Sequence, residues 1–286
     1  MRKNELLELA GDENHISGIY NYCDRWCERC SFTSRCFLYA SEQADADLDD
    51  PEVRDIANEK FWRKLQSIFH NTADLIEEWA AENGVDLKSI DVATEMEERD
   101  RALIEAEQNE LSQTAHRYAS SVEDWFGKEF AAENAIAPSG DDVTIYDAAE
   151  VVRWYQFFIA VKLVRALTGA GETDEAEEEE EDDGDPTMDW LSNFESEDDK
   201  EVDYDAVLAR TARMDRNGSA KVSLVAIDRS IAAWRALQIS LPEKSESIKP
   251  MLIELVGLRS SVEARFPHAR DFIRPGLDEA PTEFVS

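Results

Sequence analysis

The residues of this chain best suited to chemistry are its four cysteines, Cys23, Cys27, Cys30 and Cys36, all within a run of 14 residues. Their spacing is C-x3-C-x2-C-x5-C. Thiolates crowded this closely repel one another unless a cation gathers them, so the pattern points to one metal centre. On a helix the first three, at i, i+4 and i+7, would share one face, and Ile16, Ile19 and Tyr20 would extend the stripe upstream. Residues 31–34 would then turn the chain so that Cys36 closes the site. Tetrahedral zinc usually takes two Cys pairs separated by a long spacer, and this run has none. A compact run of four cysteines suits the larger cube of an iron–sulfur cluster. A [4Fe–4S] cluster is therefore the first expectation, structural zinc the alternative, and thiol or disulfide redox chemistry the third.

Three cations lie among the cysteines: Arg25, Arg29 and Arg35. They are expected to contact the bound group, offsetting the negative charge of a thiolate-ligated centre and donating hydrogen bonds to sulfur. The competing reading pairs them with Asp24 and Glu28 at the surface. Trp26, between Cys23 and Cys27, is expected to shield the centre from water. His15 lies just before the stripe and reads as a capping or surface residue more readily than as a fifth ligand.

The segment Cys27-Glu28-Arg29-Cys30-Ser31-Phe32-Thr33-Ser34-Arg35-Cys36 resembles the C-x2-C-x5-C end of the iron–sulfur loop in helix-hairpin-helix DNA glycosylases. That family sets its first cysteine six residues upstream, where this chain leaves three. The resemblance implies a [4Fe–4S] centre on the four cysteines. The trio Cys23, Cys27 and Cys30 has the spacing of radical S-adenosylmethionine enzymes, but those leave one iron open on a β/α barrel, whereas this chain supplies a fourth cysteine and no strands. The whole segment also resembles a bacterial family of unknown function carrying a Cys-Asp-Arg-Trp-Cys-Glu-Arg-Cys stretch, a resemblance that implies kinship and no activity.

Elsewhere the chemistry-bearing patterns are sparse. A di-iron carboxylate site in a helical bundle needs inward Glu-x-x-His pairs, and the sequence has none. His70 and His116, with Glu59, Glu110, Glu123, Glu150 and Asp228, offer donors on helices without a spacing that selects any set. There is no P-loop, dinucleotide fingerprint or nucleophile elbow.

The elements that must position the cysteines read as helices throughout, with no convincing strand and no internal repeat. Asp50-Pro51 opens a helix as N-cap and first residue; Val53, Ile56, Phe61, Leu65, Ile68, Phe69, Ile76 and Trp79 continue it to Gly84. Thr94 with Glu97 has capping-box spacing and opens a long helix to about Glu133. After Pro138-Ser139-Gly140, a helix led by Thr144 and Asp147 is apolar almost all round to Leu167, which suits the middle of a bundle. Two more helices span about Tyr204–Ile239, with a weak point at Asn217-Gly218, and Glu246–Phe266. The expected fold is all-α: a bundle of four or more long helices with an N-terminal cysteine-bearing helical cap. The divisions are a four-cysteine cap over 1–48, bundle halves over 49–168 and 204–266, an acidic linker over 169–203 and a tail over 267–286.

Charge narrows the partners. The chain of 286 residues carries 30 basic against 64 acidic residues, a net charge of −34. Such a surface repels nucleic-acid phosphate and anionic lipid. Between Glu172 and Asp205 stand 19 acidic residues against Lys200 alone, a run that reads as a solvated, self-repelling loop or as a contact for a basic protein partner. Met188, Trp190, Leu191 and Phe194 form an apolar island inside it, able to dock on the body or on a partner. No run of 18 apolar residues appears, and only Leu6 and Leu7 follow the basic start before Glu8, too little for a secretory signal. The expected compartment is the cytoplasm, where thiols stay reduced and metal binding outweighs disulfides.

Overall fold

The computed structural model describes residues 3–45, 50–130, 142–169 and 204–278. Among them the fold is all-α: helices joined by 3-10 turns and loops, with no strand. The chain divides into two compact units, residues 1–97 with 275–277 and residues 98–274 with 278–286. The acidic linker beyond Gly169 and its apolar island fall outside the described residues.

The first unit carries α1 (Lys3–Ala10), α2 (Phe37–Ala44), α3 (Pro51–Arg54) and α4 (Glu59–Glu82). Asp50 caps α3 as its spacing foretells, its side chain accepting the Glu52 N–H at 3.0 Å with Pro51 at the first turn. The helix expected to run unbroken to Gly84 is interrupted, however. Asp55 accepts the Ala57 N–H at 2.9 Å and Asn58 the Lys60 N–H at 3.0 Å, so short polar side chains take backbone donors from the ladder and restart it as α4. Gly84, at φ +68°, ends α4 in the left-handed conformation that glycine adopts freely.

The boundary between units falls within α5 (Val92–Gln108). Its cap is Asp91 rather than Thr94: the carboxylate accepts both the N–H and the hydroxyl of Thr94, at 3.3 and 2.8 Å. The long helix expected here also divides. Asn109 accepts the Leu111 N–H at 2.9 Å and opens α6 (Glu110–Trp125), which continues as a π-turn over Phe126–Phe130.

In the second unit α6, α7 (Asp142–Thr168), α8 (Tyr204–Ser240) and α9 (Ser245–Arg265) form a four-helix ring: α6 packs on α7, α7 on α8, α8 on α9 and α9 on α6. The ring core contains Val122, Ile159, Leu163, Leu224, Ile227 and Leu255, all buried. Within α7, Val152, Tyr155, Ile159 and Leu163 face inward while Phe157 and Val161 are exposed, so this helix has an outer face despite its apolar sequence; a ring gives each member one. α8 crosses Asn217-Gly218 without a break. Ser219 and Ala220 beside the glycine are fully buried, and packing of that face offsets the weak helix propensity. The residues after α9 are more than a tail: Phe266 and Ala269 are buried, and Arg270 bonds Asp228 on α8 and Glu263 on α9, each at 2.7 Å.

The ring closes around one aromatic cluster. Trp234 of α8 meets Trp125 edge-to-face at 4.9 Å, and its Nε1–H donates to the Tyr118 hydroxyl at 2.9 Å. Trp125 in turn donates to Ser247 on α9 at 2.9 Å. Tyr118→Phe keeps the ring volume but strands a buried indole N–H, so it is expected to lower unfolding free energy by about 1–3 kcal/mol in denaturant titration. Unchanged stability would mean the bond contributes nothing.

Candidate metal centre

The cysteine segment is not the helical face that the i, i+4, i+7 spacing suggests. Residues 16–26 run through turns and bends, Cys27–Arg29 and Thr33–Arg35 form single 3-10 turns, and Cys36 sits at the N-cap of α2. The local chemistry explains the departure. Gly18 adopts φ +69° and Arg25 φ +59°, both left-handed and incompatible with a continuing α-helix. The Asp24 carboxylate then accepts the Trp26 N–H at 3.2 Å, an Asx-type turn that competes with helix formation.

What holds this loop is a small core and a strap. Ile19, Tyr22 and Trp26 are its buried residues. The strap ties residues 14–16 to residue 35: Ile16 N–H donates to the Arg35 carbonyl at 2.9 Å, and the Arg35 guanidinium returns a bond to the Asn14 carbonyl at 3.3 Å. Gly276 closes against Ile16 so tightly that a Cβ there would lie 2.8 Å from two of its side-chain carbons.

All four thiols are free and partly exposed. The Cys23 sulfur accepts the Arg25 backbone N–H, and its thiol donates to the Tyr20 carbonyl at 3.6 Å. The Cys30 sulfur accepts the Phe32 N–H at 3.4 Å. Both acceptor bonds come from the amide two residues downstream. Burial pushes the Cys23 thiol up; its own Arg25 opposes that, while Asp24 and Cys36 add to it. Burial likewise pushes Cys27 up, followed by Glu42, Cys23 and Cys36. Neighbouring sulfurs rank below burial in both shifts. Among the described residues no three Cys, His, Asp or Glu side chains converge tightly enough to hold an ion.

The residues expected around the sulfurs are engaged individually. Arg25 pairs with Glu42 at 3.8 Å, Arg29 stacks 4.1 Å over the Trp26 ring, and Arg35 serves the strap. Of the three, Arg25 acts on sulfur, its charge favouring the thiolates of Cys23 and Cys27. Trp26 is buried as expected of a shield. His15 caps locally, its Nδ1 lying 3.0 Å from the Leu9 carbonyl. Glu42 and the amides of Arg25 and Phe32 escape a sequence reading focused on side chains; the amides were signalled only by their place two residues after a cysteine. In the second unit, Asp228, one of the scattered bundle donors, is instead paired with Arg259 and Arg270.

Compared with known proteins, the chain matches no family model, no curated protein and no solved structure. Among the described residues no helix is long and apolar enough to cross a membrane.

A thiol whose pKa is raised on folding adds stability that is fully present below its unfolded value and is lost as pH rises through the folded one. The metal-free chain is therefore expected to lose melting temperature as pH climbs past about 8.5, the ordinary thiol value, and the Cys23→Ser, Cys27→Ser double variant to lose less over the same interval. Parallel melting curves for the two proteins would refute the upward shift of these thiols on folding.

Proposed function

We propose that Cys23, Cys27, Cys30 and Cys36 bind one metal centre, a [4Fe–4S] cluster, and that the protein acts with it in the cytoplasm in electron transfer, redox sensing or as an accessory subunit of a larger assembly. The observation that carries this reading is the compact C-x3-C-x2-C-x5-C run itself, supported by backbone N–H groups that donate to the sulfurs of Cys23 and Cys30. Amides directed at sulfur stabilise thiolate and tune a cluster's potential. A cation at the shared position would relieve the mutual penalty of the thiols and convert it into binding free energy.

The donor type suits such a group, four thiolates being the usual ligands of a [4Fe–4S] cluster. Cys27 and Cys30 stand at the two ends of a single 3-10 turn, a geometry that stacks residues three apart on one side. Cys36, at the start of α2, places the fourth sulfur where the helix N-terminus favours negative charge. A bound cluster would supply one-electron chemistry; the chain's part is to hold it with four thiolates, exclude water with Trp26 and offset charge with Arg25. The protein partner that such a role requires would meet a strongly acidic chain, with the run between Glu172 and Asp205 as the contact for a basic surface.

The second reading, structural zinc in a non-enzymatic interaction module, is favoured by the short Cys27–Cys30 turn, since C-x2-C pairs are the unit of zinc knuckles. Anaerobically purified protein is expected to contain iron and inorganic sulfide in equal amounts, to be coloured, and to lose both in Cys36→Ser. Zinc without sulfide would replace the cluster by the second reading. Protein free of both metals, reconstituted with neither, would sink the proposal. Loading should also strengthen with rising pH, because binding displaces thiol protons.

A further inference from the structure

In the first unit α4 is a 24-residue helix whose apolar side is only half covered by the described residues, Phe61, Leu65 and Leu75 being half-buried. Ala80 is its one buried residue among those described, whereas Ile68, Phe69 and Trp79 are 48, 66 and 50% exposed. The apolar residues are not scattered. Phe61, Leu65, Ile68, Thr72, Leu75 and Trp79 recur at strictly alternating steps of four and three, the seam of a coiled coil. Trp62, Phe69 and Ile76, seven apart, widen that seam along one flank. The Thr72 hydroxyl bonds back to the Ile68 carbonyl at 3.0 Å, which leaves its methyl group for packing. At 1.5 Å per residue the seam from Phe61 to Trp79 is about 27 Å long.

The charges along α4 say what it fits. Its first half, residues 59–70, carries Lys60, Arg63 and Lys64 against Glu59; its second, residues 71–82, carries Asp74, Glu77, Glu78 and Glu82 and no lysine or arginine. This order opposes the helix dipole, which favours acid at the start and base at the end. The cations of the first half are met within the chain, Lys60 by Asp50 and Glu52, Arg63 by Glu59 and Lys64 by Asp45, and a second α4 running the other way sets the two acidic second halves at opposite ends of the pair. A parallel partner would instead set like charge beside like.

We propose that α4 forms a two-fold, antiparallel pair with α4 of a second copy of this chain, the axis passing near residue 70. In that register Phe61 meets Trp79 of the other copy, Leu65 meets Leu75 and Ile68 meets Thr72, so each layer pairs residues equally distant from residue 70. Phe69, on the flank of the seam, meets its own counterpart near the axis, as a two-fold contact requires. The pairing involves none of the cysteines and stands independently of the metal centre.

Two measurements on the full chain test it. Sedimentation equilibrium over a dilution series is expected to show a dimer, and Ile68→Asp, at an exposed position, to give a monomer with unchanged far-UV dichroism. A monomer throughout for the unaltered chain, or a dimer that survives Ile68→Asp, overturns the proposal. Should the variant unfold, the unaltered protein decides: carbodiimide treatment of mixed light and nitrogen-15 chains should join Lys60 of one isotope to Glu78 or Glu82 of the other. Links between copies confined to Lys60 and Glu59, or no mixed-isotope links, would exclude the antiparallel arrangement.

Discussion

A chain with a net charge of −34 holds together only where apolar burial outweighs its own repulsion, and that burial is concentrated where α8 lies against α7 and α9. Trp234 sits at the centre of it. Its ring meets Trp125 edge-to-face, its N–H is satisfied by Tyr118, and Leu237, Ile231 and Ile227 of the same helix are buried with it. Filling a core with aromatic rings whose polar atoms reach a partner yields area without leaving orphaned donors. Lys162 and Arg216 are buried, but other charged groups stay on the periphery in short networks such as Asp228–Arg270–Glu263, where half-exposed ion pairs fix the chain after α9 more than they add to stability.

The first unit has no comparable core. Around the cysteines, Ile19, Tyr22 and Trp26 bury what apolar surface there is, and much of the loop's backbone is held by turns, an Asx contact and one strap. Ordering each residue costs on the order of 1–2 kcal/mol, and segments of this size usually need a disulfide, a metal or a partner to remain folded. The four thiols are free. A metal on them would supply the missing cross-link in the same place where the core is thinnest, so the composition of the loop and its cysteine spacing argue in one direction.

Much of the second unit was legible in the sequence because its signals are redundant: the inward positions of α7, α8 and α9 recur at helical spacing and end at clear stops. The errors came from short polar side chains. Asn58 and Asn109 each divide a helix that apolar periodicity alone would carry through, because one side-chain oxygen accepts a backbone N–H that the ladder would otherwise use. The cysteine segment was misread for a related reason. Spacing at i, i+4 and i+7 is compatible with a helix but does not demand one, and Gly18, the left-handed Arg25 and the Asp24 turn decide against it. Arg25 gives no warning in the sequence, since an arginine in that region is set by its surroundings. The four cysteines as a group, their arginine neighbours and the buried Trp26 were visible; the sulfur-directed amides were not, because backbone donors leave no trace in side-chain types.

Two kinds of incompleteness meet in the first unit, and they differ in chemistry. The thiols are chiefly a desolvation problem: burial, and after it neighbouring negative charge, raises Cys23 and Cys27, and a soft cation would lower that cost. The face of α4 is a hydrophobic problem with an electrostatic label, an apolar seam long enough for several turns whose flanking charges are ordered against the dipole of their own helix. The basic start of that order is met inside the chain, where Asp50 and Glu52 hold Lys60 and Asp45 holds Lys64. The acidic end is what a neighbour must accommodate, and a second copy turned end for end closes the seam while keeping the two acidic ends apart.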